Sequence, residues 1–120
     1  MNNKKLGSDF EKEFCQILAS HGYWVHFISP DARGAQPFDV IAVKAGQALA
    51  IDCKTSAVKR FPYSRLEDNQ IAAFERWLRC GNEEPMIAVK YREKIYIIKY
   101  LLLKQKQYID LEEEYLWKKN

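Results

Sequence analysis

Histidine and cysteine are scarce in this chain, and long apolar runs are missing altogether. The two histidines, His21 and His26, form no ligand cluster with a cysteine. The three cysteines, Cys15, Cys53 and Cys80, are far apart and odd in number. That excludes a disulfide framework and a zinc-binding spacing, and it points to a reducing, cytoplasmic setting. No apolar run approaches the ~20 residues that span a bilayer, so no membrane association is expected. The opening Met1-Asn2-Asn3-Lys4-Lys5 has no apolar stretch of the secretory kind. Low-complexity tracts and internal repeats are absent too, which excludes disordered and solenoid architectures.

What is present suits one domain. The chain has 120 residues, 48% of them apolar, with seven Tyr, six Phe and three Trp. A single domain over 1–120 is expected, with a core over about 7–100 and a helical tail over 101–120. The net charge is +3, from 19 basic and 16 acidic residues. Lys54, Lys59, Arg60 and Arg65 cluster mid-chain, while Glu112, Glu113 and Glu114 lie near the end. Such a separation suits nucleic-acid binding, although charge alone fits a solvated surface equally well.

Ser8-Asp9-Phe10-Glu11 has the spacing of a capping box, which predicts a helix over 8–21. Phe10, Phe14, Ile17 and Leu18 then form one apolar stripe, and Gly22 stops the helix. Strands are expected over 23–28, 38–43 and 48–54. Polar loops are expected over 29–37 and 55–65. A helix over 66–80, with Ile71, Phe74 and Leu78 on one face, precedes a strand pair over 86–91 and 95–100. The order predicts an α/β sandwich: a mixed β-sheet with buried middle strands, flanked by helices.

The hairpin between the second and third strands carries the chemistry. If it closes at Val43 and Ala48, or one step tighter, Asp39 falls opposite Asp52. Directly opposed Cβ atoms are about 4.5–5.5 Å apart, a separation at which two carboxylates repel. A divalent cation between them reverses the sign. Carboxylate oxygens and waters suit Mg²⁺, which needs only one or two protein carboxylates. Lys54, two residues beyond Asp52, shares its face of the strand. A lysine there can orient a water and stabilise charge on an attacked phosphate. Cys53 points to the core, but its backbone carbonyl can face the metal. A surface ion pair would be the plain reading of Asp52 and Lys54. However, Ile51-Asp52-Cys53 lies in an apolar stretch, where a charge needs a partner or a task. Lys59 and Arg60 in the loop after this strand, and Arg33 in the loop before Asp39, are placed to contact DNA. Glu11, by contrast, is accounted for by capping alone.

Pro37-Phe38-Asp39, twelve intervening residues, then Asp52-Cys53-Lys54 resembles the PD-(D/E)xK nuclease motif. Gly7-Ser8-Asp9-Phe10-Glu11-Lys12-Glu13-Phe14 resembles the opening helix of archaeal Holliday-junction resolvases. Residues 48–56 and 84–91 are similar to later strands of those enzymes. Phe61-Pro62-Tyr63-Ser64-Arg65-Leu66 and Gln70 look more like the RecU-type resolvases of bacteria. The likeness spans roughly 7–100 and implies a restriction-endonuclease-like fold. By that resemblance Glu11, Asp39 and Asp52 would bind Mg²⁺, with Mn²⁺ able to substitute, and Lys54 would activate water or contact phosphate. Lys12 and Gln70 would touch DNA. The resemblance also implies a homodimer that cuts two opposed strands of a four-way junction in recombination. Three departures stand out. The proline precedes the aspartate by two positions rather than one. Asp52 replaces the usual glutamate. Lys12 replaces a common arginine, so a bidentate phosphate contact becomes a point charge. Other nucleases of the same fold, acting on duplexes or flaps in restriction, repair or phage biology, stay open at this point. So does a DNA-binding module without activity, although the intact acid–acid–lysine set speaks against it.

Overall fold

The computed structural model describes residues 3–28 and 38–117. Helix α1 (Asn3–Ser20) is followed by strands β1 (Trp24–Phe27), β2 (Val40–Lys44) and β3 (Gln47–Thr55). Then come β4 (Arg60–Pro62), a 3-10 turn (Tyr63–Arg65) and helix α2 (Asp68–Arg79). Strands β5 (Met86–Tyr91) and β6 (Lys94–Lys99), helix α3 (Tyr100–Lys106), β7 (Tyr108–Asp110) and a second 3-10 turn (Glu113–Tyr115) complete it. The main sheet has five strands in the order β1-β2-β3-β5-β6, and β4 pairs with β7 in a small second sheet. Only β3 and β5 run parallel; the other pairs are antiparallel. A parallel neighbour needs a long crossover, and the segment containing α2 supplies it.

Side-chain alternation splits the core across the two faces of this sheet. On one face Phe10, Phe14 and Leu18 of α1 pack on Val40, Ala42, Ile51, Cys53 and Ala88. The i, i+4, i+8 spacing of those three residues makes the buried stripe of α1. On the other face Phe74 of α2 packs with Ala50, Ile87, Val89, Ile98 and Tyr100. Central β3 and β5 are therefore covered on both sides, as their apolar runs require. The mixed sheet flanked by helices is the architecture expected from the sequence.

Several local expectations change. Helix α1 begins at Asn3, so Ser8 lies inside it and does not cap it. The capping explanation of Glu11 therefore falls away. The segment 55–65 is not a plain loop, because β4 lies within it. Among the described residues from 100 onward only Tyr100–Lys106 is α-helical; the chain then turns through Gln107 at φ +70 into β7. Leu103, Ile109 and Leu111 enter the core, and the Trp117 ring meets Phe14 edge-on at 5.6 Å. Among the described residues no helix is long and apolar enough to cross a membrane.

Candidate active site

Strand β3 carries Asp52 and Lys54 toward α2, while Cys53 between them faces α1. The β2–β3 ladder has the register expected from the sequence, from Lys44↔Gln47 to Val40↔Ile51. It stops one residue short of the acids. The chain bends at Asp39, whose N–H donates to the Ile51 carbonyl at 3.2 Å. The Asp39 carboxylate accepts the Cys53 N–H at 2.8 Å through Oδ2. Asp39 thus sits diagonally to Asp52, just past the ladder, rather than facing it within a regular pair.

Asp52 is fully buried and Asp39 is 4% exposed. Lys54 Nζ stands 3.4 Å from Asp52 Oδ2. That ion pair lacks hydrogen-bond geometry, and among the described residues Oδ2 has no hydrogen-bond partner. Oδ1 is held by the Gln70 side-chain amide at 3.0 Å. Gln70 Oε1 accepts from Lys54 Nζ at 3.2 Å and from the Glu67 N–H at 2.9 Å. Burial pushes the Asp52 carboxyl well above the ordinary range, and the Asp39 charge adds to this while Lys54 opposes it. Glu11, half-buried on α1, is pushed up to about 7, first by burial and then by Asp39. The Cys53 thiol is pushed up by burial and by the surrounding acids, Asp39 first.

These residues line one cleft of about 250 Å³: Glu11, Asp39, Cys53, Lys54, Glu67, Asn69 and Gln70. A larger cleft of about 410 Å³ lies along β7. Two of its acids, Asp110 and Glu112, pair with Arg60 and Lys59. Among the described residues no three His, Cys, Asp or Glu side chains form a ready metal cage. The donor set is nevertheless all oxygen, with one buried oxygen lacking a hydrogen-bond partner. That suits a hard cation held by one or two carboxylates and waters, and not a closed protein cage.

The structure brings Glu11, Asp39, Asp52, Cys53, Lys54 and Gln70 together. Gln70 is buried, and both ends of its amide are hydrogen-bonded within the protein. Lys12 is exposed on α1. Lys59 pairs with Glu112 at 3.0 Å, and Arg60 pairs with Asp110 at 3.2 Å and covers the Tyr108 ring. The basic loop is therefore charge-compensated by the acidic end of the chain, which was not anticipated. Arg33 lies outside the described residues. Glu67 and Asn69 were missed as lining residues. The Glu67-x-x-Gln70 spacing was the available signal, since it closes a capping box at the start of α2.

A family model for the archaeal Holliday junction resolvases matches residues 2–115. The chain belongs to that family. It is 27% identical over 99 residues to the crossover junction endodeoxyribonuclease Hjc of Methanocaldococcus jannaschii, covering 82% of this chain and 69% of the relative. Among solved structures, the Holliday junction resolvase Hjc of Archaeoglobus fulgidus superposes with a TM-score of 0.66 at 21% identity. That match covers 89% of this chain and 87% of the other. A bacterial homing endonuclease superposes with a TM-score of 0.58 at 13% identity, covering 93% and 80%. Both structural likenesses bear on the fold, which is restriction-endonuclease-like. Membership of the resolvase family makes the chain an endonuclease.

Proposed function

We propose that this endonuclease acts on four-way DNA junctions, depends on a divalent cation, and works as a homodimer that cuts two opposed strands. The observation that carries the reading is the Asp52 carboxylate. It is fully buried, with one oxygen lacking a hydrogen-bond partner among the described residues, and it lies behind a cleft that Lys54, Asp39, Glu11 and Gln70 line. A stable fold gains nothing from burying such an acid unless something else satisfies it. Asp52 and Asp39 would hold Mg²⁺, or Mn²⁺ in its place, with Glu11 and the Cys53 carbonyl completing the set. A cation bound there supplies charge neutralisation at the phosphate and a more acidic water.

The chain's own residues do the rest. Lys54 is held between Asp52 and Gln70, so its ammonium is oriented before substrate arrives. It stabilises negative charge as it builds on the attacked phosphate. Asp39 is fixed by the Cys53 N–H, which donates to its Oδ2. Glu11, with a pKa near 7, can give up its proton at neutral pH when a cation enters. Lys12, Arg33, Lys59 and Arg60 are proposed to contact DNA around this centre. Two symmetry-related scissile strands call for two related sites, which an isologous dimer provides.

Cleavage of a synthetic four-way junction in Mg²⁺, with the linear duplex of one arm as control, tests the reading. Junction-selective cutting that is lost on chelation and in Asp52→Asn is expected. Equal cutting of duplex and junction would replace the substrate. No cutting of either would remove the proposal.

A further inference from the structure

We infer that Gln70 is a positioning residue of this site: its buried amide fixes which oxygen of Asp52 stays without a hydrogen-bond partner and where the Lys54 ammonium stands. The inference rests on the endonuclease reading above and goes beyond it.

A glutamine amide has two unlike ends, a carbonyl that only accepts and an NH₂ that only donates. Which end lies where is settled by the partners. Gln70 Oε1 faces two donors, the Lys54 ammonium at 3.2 Å and the Glu67 N–H at 2.9 Å. Turning the amide over would set its NH₂ against both donors and its carbonyl against a carboxylate. The NH₂ therefore faces Asp52 Oδ1 at 3.0 Å. With Oδ1 engaged, Oδ2 is the oxygen left for a cation, and it is the one with no hydrogen-bond partner. The same amide holds Lys54 Nζ to the side of that oxygen. One side chain on α2 thus sets the orientation of both functional groups on β3.

Helix capping is the simpler account of Gln70, since it is the N3 residue of the box that Glu67 opens. Capping needs only Oε1. A glutamate caps equally well at N3, but it would bring a second carboxylate against a buried acid. What the cap leaves unexplained is the NH₂ donated to Asp52. Gln70→Glu therefore keeps the cap and destroys the positioning, while Gln70→Leu removes both.

The test uses full-length protein, with melting temperatures recorded for each variant. Loss of a group that orients metal-binding or catalytic residues commonly costs about 10–100-fold in activity or metal affinity. Both variants are expected to lose at least that much single-turnover rate on junction DNA. Junction affinity measured without divalent metal should stay within about twofold of wild type. Gln70→Glu should melt close to wild type at pH 5 and cut no better than Gln70→Leu. A second arm needs no activity: in metal-free ¹⁵N-labelled protein, Asp52→Asn should shift the Gln70 side-chain NH₂ resonances. Unshifted resonances overturn the inference, and so does a variant that cuts at the wild-type rate. Tenfold weaker junction binding with an unchanged rate at saturation makes Gln70 a DNA contact instead. If wild type cuts no junction, the endonuclease reading fails, while the resonance arm still decides whether Gln70 holds Asp52.

Discussion

Replacing Lys54 with methionine separates what the lysine does for the fold from what it does for the chemistry. Asp52 is fully buried, Nζ lies 3.4 Å from Oδ2, and the lysine side chain is 15% exposed. At an effective dielectric constant of about 20, unit charges at that distance attract by ~5 kcal/mol. Breaking a buried pair commonly costs about 3–5 kcal/mol, because a charge is left uncompensated. That cost depends on pH. Burial, then Asp39, already pushes the Asp52 carboxyl well above its ordinary range, and Lys54 opposes them. The folded protein therefore keeps a proton on Asp52 that the unfolded chain has lost, and without Lys54 it keeps that proton to still higher pH. The folded state then binds more protons, so stability falls as pH rises. The slope is about 1.4 kcal/mol per pH unit between the unfolded and folded pKa values, and it disappears below the unfolded value near 4. Lys54→Met should unfold in urea close to wild type at pH 5 and lose up to about 3–5 kcal/mol against it once the pH is high enough to ionise Asp52 in wild type. At pH 6.5, where the fold survives, single-turnover cleavage should drop on the order of 10²–10³. Parallel stability–pH curves would refute the idea that Lys54 holds Asp52 charged, and a wild-type rate per folded molecule would remove Lys54 from the mechanism.

Glu11→Gln should raise the melting temperature of metal-free protein at pH 8. Glu11 is pushed up to about 7, so its charge is a burden above that pH. The gain should shrink as pH falls and vanish below about 4.5, the ordinary glutamate range; thermal melts across that range in a chelator check it. If Lys59 and Arg60 lie on the DNA path, their acidic partners compete with phosphate. Asp110→Asn with Glu112→Gln should then tighten junction binding, and Lys59→Ala with Arg60→Ala should lower the slope of log K against log salt by about two. Salt titrations of all three proteins decide, and no change in either pair takes this segment off the DNA path. A dimer is expected in solution; sedimentation that finds only 14.1 kDa particles, with and without junction DNA, would exclude it.

Much of this site was legible because residues at strand spacing keep simple geometry. Asp52 and Lys54 share a face because they are two apart, and the β2–β3 register followed from the turn alone. The bend at Asp39 was not legible: nothing local says that a ladder stops one residue before an acid rather than after it. Helix α1 was placed five residues short because Ser8-x-x-Glu11 has the capping pattern, and helix continuity through Gly7 and Ser8 overrides it. Strands β4 and β7 were missed for a different reason. Each is three residues long and gains its pairing only from the other, across some fifty positions of chain. No window of sequence contains both. The compensation of Lys59 and Arg60 by Glu112 and Asp110 was hidden with them.

The placement of Asp52 ties these points together. Local rules agree along most of β3: Ala50, Ile51 and Cys53 are buried and apolar, as a covered central strand requires. Asp52 breaks that agreement in the same strand, fully buried. Places where one residue contradicts an otherwise consistent environment are where function is expected. The neighbours answer the charge only in part. Lys54 brings an opposite charge without a good hydrogen bond, and Gln70 satisfies one oxygen. Asp39 and Glu11 then make matters worse by adding charge of the same sign around the cleft. A site evolved for stability alone would replace one of these acids with a neutral side chain. Keeping all three, with one buried oxygen unsatisfied, makes sense where a cation joins them during the reaction. A cation held by these acids would convert their mutual repulsion into shared coordination, so metal should stabilise wild type most and Asp52→Asn least.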